Sequence, residues 1–240
     1  RQLEQVYNVM PALLHPDSFA SRSVALNLTA IEVADELFAD ERYRDALWVY
    51  RIIYGRDLVE ANCRVYQERL ERKARWLRKQ PGQVRQLIRA QESLGEVEQE
   101  LKALQEVDAY DEELFYRMAR SYFEGKRFRE ARELFLHLHE TAEAERAEEC
   151  LYLAFTSAAQ IQPWDRALEI GADYMTTYEG GAFYDTVSLL LAQMRARRQQ
   201  WPELITVLTT ALEVHPGHES LVECLFLLGY ASFMEEQFKA

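Results

Sequence analysis

Apolar residues recur along this chain at helical rather than strand spacing, and small apolar residues recur at a longer interval on top of it. The clearest stretch runs from Asp111 to about Thr141 and reads Phe115, Met118-Ala119, Tyr122, Gly125, Phe128, Ala131 and Phe135. This spacing predicts two antiparallel helices that reverse at Gly125. Ala119 and Ala131 are small where the helices cross closely, and Phe128 and Phe135 fill the space beside the crossing. The small position recurs at Ala192 and Gly229, with the large Phe155 standing between, at steps of 36, 37 and 37 residues.

Each step predicts a further helical pair. Leu191-Ala192, Trp201 at a turn, Leu204, Leu208 and Ala211 form one, closed by Pro216 after a helix ending near His215. Leu225, Leu228-Gly229, Phe233 and Phe238 begin the last, in which the chain is expected to end inside a second helix. Glu148 to Gly181 diverges: Leu151, Ala154-Phe155, Ala158, Trp164 and Ala167 fit, but Gly171 stands where a large aromatic is expected, with Tyr174 filling the gap. Upstream, Ala30, Val33-Ala34, Leu37, Tyr43, Ala46 and Tyr50 repeat the pattern around a turn at Asp40-Glu41-Arg42. Gln2 to Leu14, with Pro11 inside it and His15-Pro16-Asp17 after it, reads as the second helix of a repeat whose first helix is missing.

Ala34 and Ala119 stand 85 residues apart, one repeat plus an insertion. Asp57 to Lys79 is a helical run with Leu58, Val65, Leu70, Ala74 and Leu77 on one side. Gln80-Pro81-Gly82 breaks it, and Gln83 to Val107 resumes with Leu87, Leu94, Val97, Leu101 and Leu104 as a heptad-like seam. Together these predict a long antiparallel hairpin. Its charge is segregated: nine Lys or Arg lie between Arg64 and Arg89 against Glu68 and Glu71, and nine acidic residues lie between Glu92 and Glu113 against Lys102. One reading has the basic arm neutralised by the acidic arm. The other makes Arg75, Trp76, Arg78, Lys79 and Arg85 a basic tip that docks an acidic partner or anionic lipid.

The pattern thus predicts an all-α protein in three parts: 1–56, a partial repeat and one whole repeat; 57–110, the inserted hairpin; and 111–240, three to four repeats with the last truncated. Composition agrees, since the 240 residues include only nine Gly and six Pro. A net charge of -12 argues against general nucleic-acid binding, which needs a basic footprint. No uninterrupted apolar stretch is long enough for a membrane span. The chain opens without Met and reads as a piece of something longer.

Chemistry is sparse. Cys63, Cys150 and Cys224 form no CxxC and are expected as free, buried thiols. His137 and His139 point to different faces of one helix, and His215-Pro216-Gly217-His218 reads as a surface turn rather than a metal loop. Gly180-Gly181 has no Lys-Ser/Thr follower and is no phosphate loop. Nothing positive points to catalysis, a metal or a cofactor.

On the spacings quoted, the chain resembles the tetratricopeptide-repeat family outside roughly 57–110. The step of 36 to 37 residues and the ending Leu228-Gly229-Tyr230-Ala231 are similar to repeats of bacterial envelope proteins, such as the outer-membrane assembly lipoprotein and the Tol–Pal-associated periplasmic protein. The resemblance implies a right-handed solenoid of helical hairpins and a non-enzymatic adaptor of the periplasm or cell envelope. In the family the first helix of each unit lines a groove, which implies a protein or peptide ligand held by Tyr116, Arg120, Phe123, Tyr152, Thr156, Leu189, Gln193, Arg197, Phe226, Tyr230 and Phe233. A ligand carboxylate would lie near Arg120 or Arg197. The alternative is a structural or self-associating subunit that uses the hairpin as its contact surface. Membrane contact is expected only through that hairpin or a missing N-terminal anchor.

Overall fold

Every regular element among the described residues is an α helix; they contain no strand. The structure, a computed structural model, describes residues 22–107, 110–141 and 144–239. The helix expected over Gln2 to Leu14 lies outside them. Two compact units divide the chain after Gly125. The division falls between the two helices of the clearest sequence unit.

The first unit holds α1 (Val24–Ala39), α2 (Tyr43–Tyr50), α3 (Arg56–Leu77), α4 (Val84–Glu106) and α5 (Tyr110–Glu124). Ser23 caps α1 by accepting from the Leu26 amide. Glu100 of α4 adds a carboxylate to the same helix N-terminus, accepting from the Val24 amide at 2.6 Å and from Ser23 Oγ at 3.1 Å. Ala34, Leu37, Ala46, Val49 and Tyr50 form one core with Tyr110 and Leu114, so α5 packs on the α1–α2 pair. The ends of the inserted hairpin are tied together where the chain leaves and rejoins this core. Tyr110 donates to the Tyr54 carbonyl at 2.9 Å, and Asp111 accepts from the Arg56 amide at 2.9 Å.

The hairpin is α3 against α4, turned at Gly82 with a positive φ of 90° that favours glycine. On α4 the expected seam holds: Ala90, Val97 and Leu104 are buried, with Leu87, Leu94 and Leu101 half-buried beside them. On α3 the seam runs through Val59, Cys63, Leu70, Ala74 and Leu77. Leu58 and Val65 are 49% and 48% exposed, which corrects the expected face. The reason is angular: Leu58 sits one residue, about 100°, away from Val59 around the helix. At the hairpin base, Val24 and Leu28 of α1 join Val59, Cys63, Val97 and Leu104, so the base is part of the unit's core.

The second unit holds α6 (Phe128–Thr141), α7 (Ala144–Ala159), α8 (Asp165–Thr177), α9 (Tyr184–Arg197), α10 (Trp201–Val214) and α11 (Leu221–Lys239). Each helix packs on the next, and α9 also touches α11. Such nearest-neighbour packing is how stacked helical hairpins bury their faces. Within α7 and α8 the divergent stretch has a physical explanation. Phe155 is fully buried, and a Cβ added to Gly171 would lie 2.8 Å from its ring and 2.7 Å from Leu191. Gly171 is therefore small because Leu191 and the large Phe155 both close on it. Ala192 and Leu208, one step later, carry the opposite sizes and are likewise fully buried. Tyr174 does not replace the missing aromatic alone; it is buried and its hydroxyl donates to Glu148 at 2.6 Å while accepting from the Phe183 amide at 3.1 Å.

Two further expectations change. Gly229 is exposed, and a Cβ there would meet nothing within 4 Å, so among the described residues no helix crosses at this position. The last element is one continuous helix through Lys239 rather than a helix, a turn and a second helix. Cys63, Cys150 and Cys224 are buried thiols, none of them in a disulfide.

Candidate functional site

In the first unit, α5 carries Tyr116, Arg120 and Phe123 on one face, at spacings of four and three residues. Tyr116 and Arg120 line a pocket of about 220 Å³ with Asp35, Phe38, Tyr50 and Arg117. Its charges are already matched. Tyr50 donates to Asp35 at 2.5 Å, Arg117 pairs with Asp35 and with Glu113, and Arg120 pairs with Glu124 at 3.6 Å. Burial pushes the Tyr50 phenol up to about 12, so it stays a proton donor at neutral pH. Three aromatic side chains, Phe38, Tyr50 and Tyr116, line the pocket beside these hydrogen-bonding groups.

In the second unit the expected residues divide sharply. Tyr152 on α7 stacks on Phe183, ring centroids 4.2 Å apart and planes 4° apart, which covers one of its faces. Thr156 turns its hydroxyl back to the Leu153 carbonyl. On α9, Leu189 packs against the Ala192 and Trp201 core, Gln193 donates to Glu223 of α11 at 2.8 Å, and Arg197 lies over the Trp164 ring at 5.6 Å. Arg197 and Arg120 are thus both engaged within the chain, and a ligand carboxylate at either would have to compete with those contacts. Residues on α11 are different: Phe226 is 69%, Phe233 57% and Tyr230 45% exposed.

The inner side of α11 explains why its outer side stays bare. Cys224 and Ala231 are buried with Leu227, Leu228 and Met234 against α10, which consumes one face of the helix. Val222, Leu225, Phe226, Tyr230 and Phe233 stand on the exposed side at near-helical spacing, with Gly229 and Ser232 among them. Tyr230 meets Trp201 edge-on at 5.7 Å and stacks at 6.4 Å from Phe226, which holds these rings in place. Glu219, Glu223 and Glu236 are exposed on the same helix or just before it, giving the apolar strip an acidic rim. Val222 was missed at the sequence level, because its exposure depends on which side α10 covers.

The loop before α11 holds a polar cluster that the sequence reading took for a surface turn. His218 is buried, with its Nδ1 accepting from the Ser220 amide and its Nε2 3.0 Å from Ser188 Oγ. Ser188 in turn donates to the Asp185 carbonyl. The Asp185 carboxylate accepts from the Glu219 amide at 2.8 Å and lies 2.9 Å from His215 Nδ1. Partial burial raises the Asp185 carboxyl, but the Glu219 amide, the His215 hydrogen bond and the charges of His218 and His215 outweigh it and hold the group below its ordinary value. Cys224 Sγ lies 3.7 Å from both ring nitrogens of His218, and burial pushes its thiol up. These contacts tie the loop before α11 to α9. Among the described residues no group of three or more His, Cys, Asp or Glu is placed to hold a metal ion.

Because Asp185 has a lowered value in the folded state, its stabilisation is present above the unfolded carboxyl value and is lost as pH falls through the folded one. Asp185→Ala is expected to cost about 2 kcal/mol at pH 7. Denaturant melts of the two proteins should converge as pH drops below about 4. An equal gap at every pH would show that the carboxylate charge is not what orders the loop.

At the hairpin tip, Arg75, Trp76, Arg78, Lys79 and Arg85 are all exposed. They come together because α3 ends and α4 begins there. No protein-family model matches the chain, and no curated protein matches it at a significant level of similarity.

Proposed function

We propose that the chain is a non-enzymatic scaffold of tetratricopeptide type that holds a partner protein or peptide on the first helices of its repeats. The observation that carries this reading is the outer face of α11, where Phe226, Tyr230 and Phe233 stand exposed while the opposite face packs on α10. Aromatic anchors that are rigid before a partner arrives are what binding hot spots favour. The size exchange between Phe155 and Gly171 supports the repeat, since it occurs at the positions one step removed from Ala192 and Leu208. The acidic rim of Glu219, Glu223 and Glu236 fits a segment that carries apolar side chains and a Lys or Arg. The Tyr116 and Arg120 pocket on α5 is a second contact of the same kind on the first unit.

Site-specific photo-cross-linking tests this. A benzophenone side chain at position 226 should give an adduct with a distinct partner in a cell extract, whereas one at the exposed Ala172 on α8 should not. Equal labelling at both positions would remove the α11 face as a specific site. The same exposed strip also favours a second reading, in which two copies of the chain associate through α11. A sedimentation series separates them, because self-association increases with concentration and is abolished by Phe226→Ser with Phe233→Ser.

A further inference from the structure

The hairpin tip has a composition found nowhere else in the chain. From Arg72 to Gln91 there are seven Lys or Arg and no acidic residue, in a protein whose net charge is -12. The antiparallel pairing decides how this charge adds up. Ala74 and Leu77 of α3 pack with Ala90 and Leu87 of α4, so Arg72, Arg75, Arg78 and Lys79 stand beside Arg85 and Arg89. The acidic residues of α4 begin at Glu92 and run toward the base, where Glu100 is committed to capping α1. Basic arm therefore meets basic arm at the tip, and the self-neutralising reading fails there. Among the described residues none of Arg75, Arg78, Lys79, Arg85 and Arg89 has a carboxylate partner. Glu92 stands seven residues from Arg85 along α4, and Glu71 seven from Arg78 along α3, or roughly 10 Å at the rise of a helix. That exceeds the screening length of about 8 Å at physiological salt, so the acidic residues cancel little of the field around Arg78, Lys79 and Arg85.

Charge alone would suit any polyanion. The apolar residues among the charges are more selective. Trp76 is 55%, Val84 63% and Ile88 47% exposed, all within the same twenty residues and none absorbed by the hairpin seam. A tryptophan and two aliphatic side chains set among Lys and Arg match the boundary between lipid headgroups and acyl chains. The sugar-phosphate surface of a nucleic acid or an acidic protein face would leave Val84 and Ile88 without an apolar partner. No helix of the described residues is long and apolar enough to cross a membrane, so contact would be peripheral.

We propose that the tip of the α3–α4 hairpin docks on an anionic membrane surface, with Arg75, Arg78, Lys79, Arg85 and Arg89 over lipid phosphates and Trp76, Val84 and Ile88 entering the headgroup layer. This surface is independent of the α11 face. The test is vesicle co-sedimentation of the full chain with phosphatidylcholine alone and with a third of the lipid replaced by phosphatidylglycerol. Binding should require phosphatidylglycerol and should fall by more than about 100-fold when Arg75, Arg78 and Lys79 are all changed to Glu, since each basic residue near such a surface contributes about a fivefold factor. Lipids brominated near the headgroup should quench the emission of the parent more than that of Trp76→Phe. Both variants change exposed positions, and circular dichroism melts should show them folded like the parent. Failure to bind anionic vesicles, or equal binding by the charge-reversed variant, overturns the proposal. So would binding of a DNA oligonucleotide or polyglutamate that depends on the same three residues while Trp76 remains unquenched by lipid.

Discussion

Gly171→Leu is expected to destabilise the protein by about 3 kcal/mol, a large effect for one exchange of apolar residues inside a helix. Helix propensity alone points the other way, because replacing a mid-helix glycine removes a cost of about 1 kcal/mol. The packing decides. A Cβ at this position already falls 2.8 Å from Phe155 and 2.7 to 2.9 Å from Leu191, so a leucine has no rotamer without moving one of them. Phe155→Ala alone should cost about 4 kcal/mol, because it empties a site whose ring is fully buried. Combining Phe155→Ala with Gly171→Leu restores the size order found at Ala192 and Leu208, and the loss should be smaller than the sum by about 2 kcal/mol or more. Denaturant unfolding of the parent, the two single variants and the double variant measures this coupling. Additive losses would mean that the two residues are not compensating and that the divergent stretch is not a repeat with exchanged sizes.

The second large effect concerns the hairpin seam. Cys63→Asp is expected to cost about 4 kcal/mol, whereas Val65→Asp, two residues along the same helix, should stay within about 0.5 kcal/mol. Cysteine and aspartate are close in size, so the difference reads charge burial rather than overpacking. Cys63 lies in the core formed by Val24, Val59, Val97 and Leu104 and donates to the Arg22 carbonyl at 3.1 Å. Burial, with Glu100 and Glu60 nearby, pushes its thiol up to about 11, against a lowering by Arg22; this is a setting hostile to an anion. Val65 is 48% exposed on the outside of the helix. Thermal melts that rank the two variants the other way would return the seam to the Leu58 and Val65 face.

Much of this architecture was legible in the sequence because it depends on local periodicity. The turn at Asp40-Glu41-Arg42, the break at Pro81-Gly82 and the α4 seam all follow from spacing along one helix or one loop. The α3 seam was harder, because Leu58 and Val59, or Val65 and Tyr66, offer neighbouring apolar stripes and only the position of α4 chooses between them. Gly171 was visible as an anomaly, but its cause lies in Phe155 and Leu191 on two other helices. Gly229 fitted the 37-residue step, yet among the described residues no helix packs on that side of α11, and the step alone cannot supply one. In the candidate site, the aromatic character of α11 was legible, while the covering of Tyr152 by Phe183 depends on how the α8–α9 connection returns. The Asp185 and His218 cluster was not legible for a similar reason, since its members are 30 to 33 residues apart in sequence and meet only when α9 lies beside the loop before α11.

The scaffold reading rests on α11, and binding calorimetry with the partner identified by cross-linking tests it most directly. Phe226→Ser with Phe233→Ser removes two exposed rings and leaves Cys224, Ala231 and the contacts with α10 in place. The account predicts a melting temperature close to that of the parent and an affinity weaker by about 2 kcal/mol or more, roughly thirtyfold. An unchanged affinity in a normally folded double variant would contradict it and move the binding surface off this helix.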